Sequence, residues 1–163
     1  MSVPKPVLHL VCGKVAAGKS TLCARLAAAP HTILVAQDPW MAALYPDELE
    51  TVADYVRLVP RLRRAMTPHL AALLRLGVSV VLDWPANTVA SRAWMREIAE
   101  TAGAMSRLHL LATPDEVCRQ RLRARNAVGR HEFTVSDAEF DELARYFEPP
   151  GAGEGFDIVV HDG

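Results

Sequence analysis

The chain has 163 residues, half of them hydrophobic and 23% charged, with a formal net charge of −1. That length fits one domain spanning 1–163, and the composition is globular rather than disordered. The charge balance supplies no global basic field for nucleic acid, and no apolar run reaches the ~18–20 residues that cross a bilayer.

In chain order, the first element is an apolar run, Val7–Cys12, read as a strand. Gly13-Lys14-Val15-Ala16-Ala17-Gly18-Lys19-Ser20 follows it, and Leu22 and Leu26 then share one helix face. Further apolar runs at Ile33–Ala36, Val78–Leu82, Leu108–Leu111 and Ile158–Val160 do not alternate with polar residues, so they read as strands buried on both faces. Glu48–Leu76 has a helical pattern but contains Pro60 and Pro68, which predicts a kinked rod or two to three pieces. Asp47 with Glu50, Thr113 with Glu116, and Ser136 with Glu139 have capping-box spacing. Pro114 suits a first helical position. Phe140, Leu143, Ala144 and Phe147 form one apolar helix face, and Pro149–Gly155 reads as a loop. Strands alternating with helices predict an α/β three-layer sandwich, a parallel sheet with helices on both faces.

The three cysteines, Cys12, Cys23 and Cys118, are odd in number and lack CxxC spacing, so buried reduced thiols in a cytoplasmic protein are expected. No signal-peptide pattern opens the chain. The six histidines show no zinc spacing.

Residues 13–20 match GxxxxGK[ST] between a predicted strand and a predicted helix, the context that pattern requires. Glycine reaches backbone angles closed to other residues, successive N–H groups form an anion nest, and the helix N-terminus adds partial positive charge. Lys19 is expected to reach the β- and γ-phosphates of a nucleoside triphosphate, and the Ser20 hydroxyl to ligate Mg²⁺. Thr21, read as a helix residue, closes the nucleotide-binding run of Gly13, Lys14, Val15, Ala16, Ala17, Gly18, Lys19 and Ser20. The chain carries no NKxD or DxxG guanine-type motif. The third strand ends in Asp83-Trp84-Pro85, with no Glu after the Asp to polarise water, which favours transfer to a bound acceptor over hydrolysis.

On GKVAAGKS, AQDPW, LDWPANT followed by Arg92, LLATPDEVCRQRLRARN, GRHEF and EGFDIVV, nearly the whole chain resembles the small P-loop kinases. That group includes gluconate kinase, chloramphenicol phosphotransferase and zeta toxins, and the likeness extends to bacterial ATP-binding proteins of this size. The resemblance implies a five-stranded parallel sheet in order 2-3-1-4-5, ATP with Mg²⁺, and phosphorylation of a small hydroxyl-bearing acceptor. It places an acid at Asp38, at the C-terminal strand edges where such sheets bind ligands. An Arg that often follows that acid in related kinases is absent here, where Trp40 and Met41 stand.

Asp38 reads either as general base or as an N-cap before Pro39. Asp83 reads as a Mg²⁺ carboxylate or as the base, and the sequence leaves both assignments open. Arg119, Arg121, Arg123, Arg125 and Arg130 crowd twelve residues, and a helical lid over about 119–135 is expected, with Arg121 and Arg125 on one face. Arg92 is a candidate for holding an acceptor oxygen, and Trp40 and Trp84 for an aromatic acceptor wall. The expected activity is ATP-dependent transfer to a small molecule. An ATP-dependent switch engaging a partner protein and a nucleic-acid 5′-end kinase are the alternatives, and the acidic balance argues against the last.

Overall fold

The structure, a computed structural model, describes residues 4–129 and 134–162. The chain runs β1 (Val7–Cys12), α1 (Lys19–Ala27), β2 (Thr32–Ala36), α2 (Gln37–Leu44), α3 (Val52–Arg75), β3 (Ser79–Pro85), α4 (Val89–Thr101), β4 (Met105–Leu111), α5 (Asp115–Val128), α6 (Asp137–Arg145), a 3₁₀ turn (Ala152–Glu154) and β5 (Asp157–His161). The strands pair in parallel throughout, in the order β2-β3-β1-β4-β5 that the resemblance implies.

Both faces of the sheet are covered. Leu8, Leu10, Val80, Leu82 and Trp84 bury one face against Leu58, Leu62 and Leu70 of α3 and Met95 and Ile98 of α4. Val11 and Val81 bury the other against Leu22 and Cys23 of α1, Leu122 of α5 and Phe140 of α6. This explains the continuous apolar runs, since residues pointing either way along a central strand leave water. The edges depart from that reading: Ile33 and Leu34 of β2 are 42% and 39% exposed, and Val160 of β5 is 61% exposed. Each edge strand lacks a neighbour on one side.

The expected break in the 48–76 segment does not occur. α3 is one helix of 24 residues with both prolines inside it. Pro60 and Pro68 lie on its exposed face, eight residues apart, where water can satisfy the carbonyls they leave without an N–H partner. Its cap is Thr51, whose hydroxyl accepts from Asp54 N–H while the Asp54 carboxylate accepts from Thr51 N–H. Asp47 and Glu50 therefore form no capping box. Ser136 does cap α6 as its spacing predicts, accepting from Glu139 N–H. Among the described residues no helix is long and apolar enough to cross a membrane.

The register brings together three histidines that look scattered in the sequence. His9 Nδ1 lies 2.9 Å from His109 Nε2, and His109 Nδ1 lies 3.0 Å from His161 Nε2. The row crosses β1, β4 and β5. Burial, then the neighbouring His9, His161 and Arg107, push His109 down to about 4, opposed by Asp157. A histidine depressed in the folded state contributes stability that is full above its unfolded value near 6.5 and is lost as pH falls toward the folded value. The expected loss between pH 6.5 and 4 is at most about 3 kcal/mol. Urea unfolding across this window, compared with His109→Phe, checks it. Parallel pH profiles for the two proteins would refute it.

Candidate active site

Residues 13–18 leave the end of β1 and feed α1. At Gly13 a Cβ would stand 3.1 Å from Leu111 Cβ and 3.2 Å from Ala17 Cβ, so only glycine fits without displacing its neighbours. Gly18 takes φ +104°, also a glycine conformation. Ala16 holds the left-handed region at φ 61°, a strain of about 1 kcal/mol. The loop is held from outside. Asn87 accepts from Gly13 N–H at 2.9 Å and donates to Gly13 C=O at 2.8 Å. Thr113 Oγ1 donates to Ala17 C=O at 2.8 Å, and Arg121 donates to the same oxygen at 3.3 Å. The Lys14 ammonium reaches Asp115 at 2.8 Å.

These contacts correct one expected cap. Thr113 does not cap α5, because its hydroxyl is committed to the loop; Pro114 stands at the N-cap with no side-chain bond.

Lys19 folds back over the loop. Its ammonium donates to the carbonyls of Gly13 at 2.8 Å and Lys14 at 3.2 Å. Loss of water lowers its pKa, and the charge of Asp83 is the largest influence in the other direction. Ser20 Oγ donates to Asp83 Oδ2 at 2.8 Å. The β1–β3 register jumps from Leu10↔Leu82 to Val11↔Pro85, and such irregularities re-aim side chains at strand ends. Asp83 therefore lies within β3 rather than after it, facing α1. The Ser20–Asp83 pair supplies two hard oxygen donors, the chemistry Mg²⁺ takes alongside phosphate oxygens and water.

A cavity of about 590 Å³ opens here, and Lys19, Ser20, Asp38, Asp83, Arg121 and Arg125 all line it. Asp38 sits in the first turn of α2, whose N-cap is Ala36, so Asp38 does not cap that helix. Beside it is Tyr55, which accepts a hydrogen bond from buried Gln37. Burial and the charge of Asp38 raise the Tyr55 hydroxyl pKa, which keeps it protonated. Asn87, Gln37 and Tyr55 were not singled out by sequence, and Thr113 only as a helix cap, although Asn87, Gln37 and Thr113 lie within the quoted LDWPANT, AQDPW and LLATPDEVCRQRLRARN runs.

The arginine-rich helix divides its charges between two faces. Arg119 and Arg123 pair with Asp141 and Asp137 of α6, and Arg119 covers the Phe140 ring at 4.6 Å. Arg121 and Arg125 face the cavity, as their spacing of four predicts. Arg130 lies outside the described residues.

Three expected acceptor contacts are placed elsewhere. Trp84 is 1% exposed and packs edge-on against Trp94, because successive strand residues point to opposite faces and Asp83 takes the other one. Trp40 is 47% exposed and lies outside the cavity lining. Arg92 is fully buried, forming an ion pair with Glu154 at 2.8 Å and donating to Ala86 C=O at 2.9 Å. It has no exposed surface to offer an acceptor.

A parallel sheet in this order, with a glycine-bearing loop leading from its central strand into a helix and a Ser–Asp pair at the strand ends, defines the P-loop NTPase fold. A family profile described as an AAA domain matches residues 8–150, and the chain belongs to that family. Among curated proteins nothing matches. A protein of Chloroflexus aurantiacus J-10-fl, provisionally assigned as a kinase, is similar in structure with a TM-score of 0.77 and 19% identity, over 99% of this chain and 87% of that one. Chaetomium thermophilum Kti12 in complex with ADP-AlF3 has a TM-score of 0.73 at 17% identity, over 96% and 89%. A sugar kinase from Janibacter sp. HTCC2649 has a TM-score of 0.64 at 18% identity, over 98% and 86%.

Proposed function

We propose that the protein is an ATP-dependent kinase that moves the γ-phosphoryl group to a hydroxyl of a small molecule. The observation that carries this reading is that a second carboxylate, Asp38, shares the cavity with Lys19, Ser20 and Asp83. The Ser20–Asp83 contact supports giving Asp83 to the cation and leaving Asp38 as the base. The structural neighbours that are kinases support the reaction class.

In this mechanism the N–H groups of 13–20 and the N-terminus of α1 hold the phosphates. The Lys19 ammonium leaves the Gly13 and Lys14 carbonyls for phosphate oxygens. Ser20 and Asp83 hold Mg²⁺, which neutralises phosphate charge when bound. Asp38 takes the proton of the acceptor hydroxyl as its oxygen bonds phosphorus and the bond to the ADP oxygen breaks. Arg121 and Arg125 stabilise charge on the transferring group. The lid expected over about 119–135 includes residues 130–133, which lie outside the described residues, and Arg121 and Arg125 reach the cavity from α5.

A second cavity of about 510 Å³ shares Gly18, Thr21 and Arg121 with the first and is also lined by Leu111, Val160 and His161. With the phosphates between the two, the nucleobase goes to this one and the acceptor to the cavity that holds the carboxylates.

Asp38→Asn tests the reading against a nucleotide-dependent switch. With γ-labelled ATP, Mg²⁺ and a fractionated metabolite pool, transfer is expected to fall about 10²–10⁴-fold. ATP affinity by calorimetry should hold. Undiminished transfer in the variant, or label released from the wild type only as inorganic phosphate, would overturn it.

A further inference from the structure

Three carbonyls of the phosphate loop each accept from a cationic side chain and also from a neutral donor. Gly13 C=O accepts from the Lys19 ammonium at 2.8 Å and from Asn87 Nδ2 at 2.8 Å. Lys14 C=O accepts from the same ammonium at 3.2 Å and from Ala17 N–H at 3.0 Å. Ala17 C=O accepts from Arg121 at 3.3 Å and from the Thr113 hydroxyl at 2.8 Å. A carbonyl oxygen has two lone pairs, so one donor can depart while the other keeps it satisfied. This matters because Gly13, Ala17 and Thr113 are buried. The orientation of the Asn87 amide is fixed by Gly13 itself, whose N–H needs the amide oxygen at 2.9 Å and whose C=O needs the amide nitrogen.

Resting on the kinase reading above, in which Lys19 and Arg121 move to phosphate oxygens, we infer that Asn87 and Thr113 are positioning residues. Each holds a loop carbonyl while the cation bonded to it moves to the nucleotide. Leaving a buried acceptor without a donor exacts the full desolvation of that group, enough to weaken binding by about tenfold to a hundredfold. The second donors remove that penalty from nucleotide binding. Before binding, the same carbonyls give the Lys19 ammonium partners in place of the water it has lost. The Lys14 carbonyl is backed by the loop's own N–H, whereas Asn87 and Thr113 reach in from after β3 and β4. In this role neither side chain touches phosphate, and each acts through the carbonyl it holds.

The test is a pair of double-mutant cycles, read by calorimetric titration with Mg²⁺ and an ATP analogue whose γ-phosphate cannot transfer. Asn87→Ala and Thr113→Val should each weaken binding about tenfold or more in the otherwise wild-type protein. Asn87→Ala should change it by no more than about twofold once Lys19→Met is present, and Thr113→Val likewise once Arg121→Met is present. The carbonyl then has the same donors before and after binding, so the penalty cancels. The crossed pairs, Asn87→Ala with Arg121→Met and Thr113→Val with Lys19→Met, should add. Thr113→Val keeps the side-chain shape and carries the test alone if Asn87→Ala fails to fold. Losses equal in every background show side chains that only brace the loop, and overturn the proposal, as does undiminished binding by the single variants. If Lys19→Met and Arg121→Met both bind the analogue as tightly as the wild type, the cations do not move to phosphate, and that reading of the site falls together with the proposal.

Discussion

Lys19→Ala is expected to lower phosphoryl transfer by about 10³-fold or more, the scale seen when one preorganised donor to transition-state charge is removed. The same variant should fold. Among the described residues the Lys19 ammonium bonds backbone carbonyls of the loop that carries it, and the loop has other anchors at both ends. Removing the side chain also removes the cost of taking a cation out of water, the force that depresses its pKa. ATP binding should weaken too, which makes ligand-induced stabilisation a second readout. A ligand held 100-fold above its Kd raises stability by about 2.7 kcal/mol, and that increment should shrink in the variant. Thermal unfolding with and without ATP and Mg²⁺ separates the cases. A variant already destabilised without nucleotide would show that Lys19 holds the loop. A variant with normal unliganded stability and a reduced shift would show that it holds phosphate.

The phosphate loop was legible in sequence because its demands are local. Two glycines, a lysine and a serine at fixed spacing define it, and the structure brings them to one sheet edge with Asp83. The order of the sheet was not legible from periodicity. It came from resemblance, since an apolar run says that a strand is buried and not beside which strand. The side chains that hold the loop depend on that long-range pairing. Asn87 reaches Gly13 across 74 positions, and Thr113 reaches Ala17 across 96. Arg92 shows the reverse failure. Its place after an acid-bearing strand reads as an acceptor contact, and only the return of the chain at Glu154 reveals a buried pair. Trp84 was misplaced for a simpler reason. Adjacency to Asp83 in a strand guarantees the opposite face, and the apolar run Val78–Leu82 that marks the strand stops short of both residues.

Glu154→Ala is expected to cost about 3–5 kcal/mol, the range for stranding one partner of a buried ion pair. The Arg92 guanidinium has no exposed surface, and both Glu154 oxygens accept from it, at 2.8 and 3.2 Å. Without them it keeps Ala86 C=O and a long contact to Cys12 Sγ. The Glu154 carboxyl is held below its ordinary value by that hydrogen bond first. Its contribution is therefore full above about pH 4.5 and is lost as pH falls through the folded value. Arg92→Met with Glu154→Gln should recover much of the loss, because an apolar side chain of similar length removes the stranded charge. The damage should also reach the site. Arg92 holds Ala86, the next residue is Asn87, and Asn87 grips Gly13 from both sides while its own carbonyl accepts from Glu148 N–H at 2.8 Å. Glu154→Ala should thus weaken ATP binding although Glu154 does not line either cavity, and the double variant should restore affinity together with stability. Urea unfolding and calorimetric titration of the same three proteins check both halves. If stability falls while affinity holds, the pair supports the turn at Ala152–Glu154 and not the phosphate loop.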